Sequence, residues 1–204
     1  MAQNNHMPKP NFFMVGAAKA GTTALWAAFK NHPQIFMAGK NIAEKEPCFF
    51  VEGYGVETMD KYLSLFVGAE KHQVIGDASS IYLSAIDSAK KIYDFNPNAK
   101  ILICLRNPAD RAYSLYCWMV QEGYEWKTPF EQAVLDEDRR KTRKIPNLVE
   151  RAYHGDYMYF SSGLYCRQVK SFLDVFGERV KIIIFEDLIA EPQTVINECL
   201  DFLN

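Results

Sequence analysis

Phe12 to Leu25 reads FFMVGAAKAGTTAL. Its first residues, Phe12 to Val15, are apolar without alternation and stop at Gly16, the pattern of a strand covered on both faces. Ala17 to Thr23 (AAKAGTT) is a loop of small residues. Ala24 to Asn31 then carries helical spacing, with Leu25, Ala28 and Phe29 on one face, until His32-Pro33 ends it. Strand, small-residue loop and helix in that order aim unpaired N–H groups and a partial positive charge at one point. Small side chains let a phosphate approach, Lys19 adds a full charge, and Thr22 and Thr23 add hydroxyl donors. The loop is not a Walker A motif: Gly16 and Gly21 have its spacing, but Thr22 stands where the lysine belongs. A merely tight turn is the rival reading, and it leaves Lys19 without a purpose.

The alternation continues outward from this loop. Ile35 to Met37 is a short extended piece, and Gly39 to Gly55 reads as a loop. Thr58 to Phe66 is helical, with Tyr62, Leu63 and Phe66 inward. Gln73 to Gly76 is a strand ending at Asp77. Ser84 to Phe95 is a helix, followed by an Asn96-Pro97-Asn98 turn. Lys100 to Leu105 (KILICL) is the clearest strand. Asn107 to Glu122 is a helix with Asn107 as N-cap and Pro108 in its first position. Pro129 to Arg140 is another. Ser161 to Phe176 is amphipathic through Leu164, Val169, Phe172, Leu173 and Phe176, and Gly177 stops it. Val180 to Phe185 reads as a last buried strand and Pro192 to Leu203 as a final helix. Strands and helices at crossover spacing predict a three-layer α/β fold, a P-loop-like central parallel sheet flanked by helices. Residues 1–11 read as a flexible tail and 12–204 as the core domain.

The chain has 204 residues, which suits one domain, and 49% of them are hydrophobic, enough for a sizeable core. Net charge is −2, so nothing global favours nucleic acid or an anionic membrane, and any anion site is local. The five cysteines form no C-x-x-C pair and no zinc spacing with histidine; they read as small buried hydrophobes of a reducing compartment. Neither a secretory leader nor an apolar run of the roughly 20 residues that span a bilayer is visible. The expectation is a soluble, cytoplasmic chain, unless it is cut from a longer anchored one. Asp136 to Lys144 (DEDRRKTRK) reads as a solvated helix end, with docking of an acidic acceptor as the alternative.

FFMVGAAKAGTTAL resembles the 5′-phosphosulfate loop of the sulfotransferases that use PAPS (3′-phosphoadenosine 5′-phosphosulfate). Within that superfamily it looks most like the heparan-sulfate Golgi type and its bacterial relatives. The resemblance implies that Lys19, Ala20, Gly21, Thr22 and Thr23 hold the 5′-phosphosulfate, with Lys19 also stabilising charge on the leaving phosphate oxygen. LRNPADRAYSLY (Leu105 to Tyr116) is similar to the family's 3′-phosphate motif, which implies that Arg106 and Ser114 bind that phosphate. A guanidinium fork and a hydroxyl suit the anion. Arg111 reads instead as a structural ion pair.

KEPCFF (Lys45 to Phe50) resembles the family's K-E-P-H-F-F segment, whose glutamate is the general base. That carries over to Glu46, with Glu44 and Lys45 as adjacent competitors. A carboxylate between a proline and aromatic residues is expected to be partly desolvated. Cys48 stands where the heparan-type 3-O enzymes have histidine, which loosens assignment to that acceptor. GDASSIY (Gly76 to Tyr82) resembles a stretch after the second main strand and implies that Asp77 orients the acceptor or Lys19. SSGLYCRQVKSFLDVFG resembles a family helix that turns Gly163 and Tyr165 toward the acceptor cleft. FEDLIAEP resembles a strand exit, with Glu186 and Asp187 capping the following turn. Tyr153, Tyr157 and Tyr159 suit stacking on a sugar or aromatic acceptor, with packing as the competing role.

The similarity runs from Phe12 to Leu203. Family members continue past ECLDFLN with a Lys/Gly-rich loop over the nucleotide, so the core is expected to be C-terminally incomplete. The implied activity is in-line transfer of a sulfuryl group from PAPS, leaving PAP, to a hydroxyl or amine of a glycan or small-molecule acceptor, with no metal required. Two rivals stay open. A P-loop nucleoside or nucleotide kinase needs a Walker lysine and a magnesium aspartate. A non-catalytic PAP- or PAPS-binding domain needs only the two anion sites.

Overall fold

Strands β1 (Phe12–Gly16), β2 (Ile35–Met37), β3 (Val74–Asp77), β4 (Lys100–Leu105) and β5 (Val180–Ile184) form one parallel sheet in the order β2-β3-β1-β4-β5. This computed structural model describes residues 7–85, 87–126, 129–142 and 157–204. Tyr153, and Arg143 and Lys144 of the charged run, lie outside them. The central strands are the most apolar: every residue of β1 is buried, and Ile101 to Cys104 of β4 are fully covered. A parallel sheet needs both faces covered, and these two runs supply the side chains for it.

The helices are α1 (Thr22–Lys30), α2 (Met59–Ser64), α3 (Ser88–Phe95), α4 (Pro108–Gln121), α5 (Phe130–Leu135), α6 (Glu137–Thr142), α7 (Tyr165–Phe176), α8 (Phe185–Ala190) and α9 (Pro192–Leu203). Local chemistry starts several of them. Thr58 Oγ1 accepts from the Lys61 amide ahead of α2, and Asn107 Oδ1 accepts from the Ala109 and Asp110 amides ahead of α4. From β1 the chain runs out to β2 and returns through β3, then crosses to β4 and β5. The carboxyl ends of β1 and β4 are therefore neighbours whose connections leave in opposite directions, the place where open α/β sheets bind ligands.

Four expectations need correction. β5 is an edge strand among the described residues that buries Ile183, while Ile182 and Ile184 on its opposite face stay exposed. Pro129 to Arg140 is two short helices broken at Asp136. Glu137 there turns inward to accept from the Phe160 and Ser161 amides (2.7 and 3.0 Å). Leu164 and Leu173 point outward, so α7 is anchored by Phe172 and Phe176 instead. The charged run is a solvated end only in part: Asp138, Arg139 and Lys141 are exposed, whereas Asp136 and Glu137 are buried and Arg140 pairs with buried Glu125 at 2.7 Å.

Candidate active site

The loop after β1 is held by its neighbour β4: the Ala17 amide donates to the Cys104 carbonyl at 2.6 Å, and Cys104 Sγ donates to the Ala20 carbonyl. Gly21 has φ 88 and serves as N-cap of α1 without a side-chain cap. Among the described residues, the amides of Gly21, Thr22 and Thr23 have no backbone acceptor, which is the donor cluster a helix start offers to an anion. A Cβ at Gly21 would come within 2.8 Å of Phe185 Cδ2. Only glycine fits there.

Lys19 sits at φ 66 with its ammonium 5.6 Å from the Trp118 ring centre. Burial, and after it the Arg106 guanidinium, lower its pKa from the ordinary lysine value. Arg106 follows β4 directly and donates to the Lys19 carbonyl at 3.2 Å, with its guanidinium 4.6 Å from the Phe185 ring centre. That is the only hydrogen bond its guanidinium makes among the described residues, so most of its five N–H donors remain open to a ligand. Two cations brought together this way repel each other until an anion joins them.

A cleft of about 570 Å³ opens from this point, lined by Lys19, Thr22 and Thr23 on one side and by Lys45 and Glu46 on the other. Glu46 is 35% exposed. Its carboxylate accepts from Lys45 Nζ (2.8 Å), the Ser80 amide (3.0 Å) and the Ser80 hydroxyl (2.9 Å). About four lone-pair directions belong to a carboxylate, so these donors leave one for an incoming proton. Lys45 is only 2% exposed; its ammonium also reaches the Ala78 carbonyl at 3.2 Å and Thr22 Oγ1 at 3.5 Å. It ties the glutamate to the start of α1. Glu44 instead folds back on its own loop, accepting from the Lys40 amide at 3.0 Å.

A family model described as the sulfotransferase domain matches residues 9–204. The chain belongs to the sulfotransferase family. A solved sulfotransferase from Alicyclobacillus acidocaldarius superposes with a TM-score of 0.85 at 36% identity, over 96% of this chain and 81% of that one. Human heparan sulfate glucosamine 3-O-sulfotransferase 5 is 27% identical over 96% of this chain and 53% of its own length. The membrane-associated sulfotransferase kil1 of Dictyostelium discoideum is 24% identical over 96% of this chain and 56% of its own. The chain thus spans about half the length of these curated relatives.

Within the sulfotransferase fold, several expected residues sit elsewhere. Asp77 is fully buried and outside the cleft lining; it accepts from Tyr62 and Tyr82 (2.8 Å each) and Ser79 (2.6 Å). It does not reach Lys19, and its influence on the cleft is indirect: Ser79 Oγ accepts from the Cys48 amide at 2.9 Å, two residues past Glu46. Ser114 is half-buried on α4 and, like Arg106 and fully buried Ala20, outside the lining residues. Arg111, 1% exposed, donates to the Tyr159 carbonyl and the Ser162 hydroxyl. Tyr165 donates to the Arg106 carbonyl at 3.0 Å, and Gly163 packs on Pro108, so neither lines the cleft. Glu186 caps the start of α4 through the Asn107 amide at 3.1 Å rather than its own turn. Tyr157 and Tyr159 pack with α4 and α5. Ser80, Trp118 and Phe185 were missed as site residues, and Lys45 was read only as a competitor of Glu46. Lys45, Ser80 and Phe185 lie inside quoted motifs, and Trp118 follows Ser114 by a helical turn.

Proposed function

We propose that residues 12–204 form the catalytic core of a sulfotransferase that moves a sulfuryl group from PAPS to a hydroxyl or amine of a glycan or small-molecule acceptor. One observation carries this reading: Lys19 and Glu46 line one cleft, and Arg106, just outside its lining, reaches the Lys19 carbonyl from the end of the adjacent central strand. Helix-start amides and two cations fit a donor with phosphates at both ends of its nucleoside. Bound there, PAPS supplies the sulfuryl group and a phosphate leaving group. Lys19 and the Gly21 to Thr23 amides hold the 5′ end, and Lys19 meets the negative charge that grows on the leaving oxygen. Arg106, steadied by Phe185 and Tyr165, holds the 3′-phosphate; Ser114 adds a hydroxyl only if its side chain turns toward that phosphate. Glu46 takes the acceptor's proton, and Lys45 and Ser80 keep its carboxylate aimed.

The kinase alternative loses ground because Thr22, in the Walker lysine's place, is buried with its hydroxyl accepting from Lys45. A reducing, cytoplasmic setting accords with five free thiols. No helix of the described residues is long and apolar enough to cross a membrane.

Labelled PAPS with an acceptor panel tests the assignment. Glu46→Gln is expected to keep PAP affinity and lose transfer by about a hundredfold or more, whereas Lys19→Ala loses both. Near-normal turnover by Glu46→Gln removes it as the base. Nucleotide binding by the wild type without transfer to any acceptor favours the non-catalytic reading.

A further inference from the structure

Asp77 is a fully buried carboxylate that the proposed chemistry leaves idle. Burying it is costly, and an apolar residue would end β3 without that cost. What the carboxylate does is fix three hydroxyls. Ser79 donates to Oδ1 at 2.6 Å, and Tyr62 and Tyr82 donate to Oδ2 at 2.8 Å each. All three donors are themselves fully buried.

Each donor in turn holds one residue of the segment that follows Glu46. Ser79 Oγ accepts from the Cys48 amide at 2.9 Å. The Tyr62 ring stacks on Phe49, with centres 4.5 Å apart and planes 11° from parallel. The Tyr82 ring meets Phe50 edge-on at 5.7 Å. Cys48 needs such a hold, because its φ of 53 is a conformation that favours glycine. Ser80, directly after Ser79, gives its amide and hydroxyl to the Glu46 carboxylate at 3.0 and 2.9 Å. The stretch from Asp77 to Tyr82, with Tyr62, therefore grips both the Glu46 carboxylate and the chain just behind it.

We propose that Asp77 is a positioning residue for Glu46: through the hydroxyls of Ser79, Tyr62 and Tyr82 it sets the path of Cys48 to Phe50, and so the aim of the carboxylate two residues earlier. This rests on Glu46 being the base in the sulfotransferase reading. Asparagine has nearly the shape of aspartate, but it turns an N–H donor toward one of the three hydroxyls. That hydroxyl can no longer donate there, and its hold on the segment slackens while the space stays filled. Displacing a reacting group by about 1 Å is enough to cost up to a hundredfold in rate.

Asp77→Asn and Ser79→Cys test it. Both nearly keep side-chain size, and the second leaves the Cys48 amide with a thiol, a weak acceptor. With labelled PAPS and the acceptor that the panel identifies, each is expected to lower kcat about tenfold or more, with the KM for PAPS and the affinity for PAP unchanged. Amide hydrogen exchange supplies a readout that needs no acceptor. Exchange at the Ser80 amide, which Glu46 holds, should rise about tenfold in both variants, as a weakened hydrogen bond allows, and approach the rate in Glu46→Ala. The amides of Ile101 to Cys104 in β4 should stay as protected as in wild type. Either readout left unchanged in both variants overturns the proposal. So does a fall in kcat that comes with lost β4 protection or lost PAP affinity, because a general loosening of the fold is then the cause. Absent transfer by the wild type strikes the sulfotransferase reading instead, and Ser80 exchange then decides the grip on Glu46 by itself.

Discussion

Lys19 carries its charge under strain: burial and the Arg106 guanidinium both favour the neutral amine. The free protein therefore loses this charge at a lower pH than an exposed lysine does, and anion affinity falls as pH rises. Titration of PAP between about pH 7 and about pH 10 should show the decline in wild type and not in Lys19→Arg, whose guanidinium stays charged throughout. A decline retained in Lys19→Arg assigns it to another group. Asp77 behaves oppositely to a salt-bridged carboxylate. Burial pushes its pKa up to about 6, against the hydrogen bonds from Ser79, Tyr62 and Tyr82 that pull it down. The folded state then binds this proton more tightly than the unfolded chain, whose aspartate titrates near 3.9. Stability from this group is greatest below about pH 4 and falls as pH rises to about 6, by about 3 kcal/mol. Urea unfolding across that window should show the slope in wild type and a flatter profile in Asp77→Asn. Equal slopes would mean the buried carboxylate is not its source. Sequence placed Asp77 correctly at the end of a strand but not its surroundings, because three hydroxyl donors from Tyr62, Ser79 and Tyr82 converge only in the fold.

The strand, loop and helix from Phe12 to Lys30 were readable, the helix start to within two residues, because the local signals agreed: unbroken apolar run, small-residue loop, amphipathic helix. The bounds of β4 and α9 were readable for the same reason. β5 was readable as a strand to within one residue but its exposed face was not, since an apolar run does not say which face stays uncovered. Nor was the partner of Glu186, which lies far away in the chain at Asn107. Glu46 was readable through its motif, but Lys45 looked like a competitor until burial and the Thr22 contact gave it a supporting role. Gly21 joins these elements most tightly, with positive φ and Phe185 of α8 against its Cα. Gly21→Ala is expected to cost about 1–2 kcal/mol from backbone strain alone and more from the Phe185 clash. Its PAP affinity should fall. Pairing Gly21→Ala with Phe185→Ala should recover part of the lost melting temperature, since the clash is then relieved. Absence of any recovery would locate the whole cost in the backbone.

The sheet divides the two proposed anion-binding side chains between two stretches of chain: Lys19 follows β1, and Arg106 follows β4 and leans on α8. A ligand gripping both draws the β1–β3 side and the β4–β5 side together, and relieves the repulsion between two neighbouring cations. Nucleotide should therefore stabilise the molecule as a unit rather than a loop of it. At a free concentration a hundredfold above its dissociation constant, a ligand adds about 2.7 kcal/mol. For a chain of this length, that corresponds to a rise in melting temperature of roughly 5–10 °C. PAP should produce this shift in wild type and in Glu46→Gln, because the glutamate touches neither phosphate in the arrangement proposed. At the same PAP concentration, Arg106→Ala and Lys19→Ala should each lose most of it, since each removes one end of the grip. Sulfate, which can occupy only one end at a time, should give a smaller shift that Arg106→Ala does not abolish. Equal shifts from PAP in wild type and Arg106→Ala would mean that the two cations do not share one ligand.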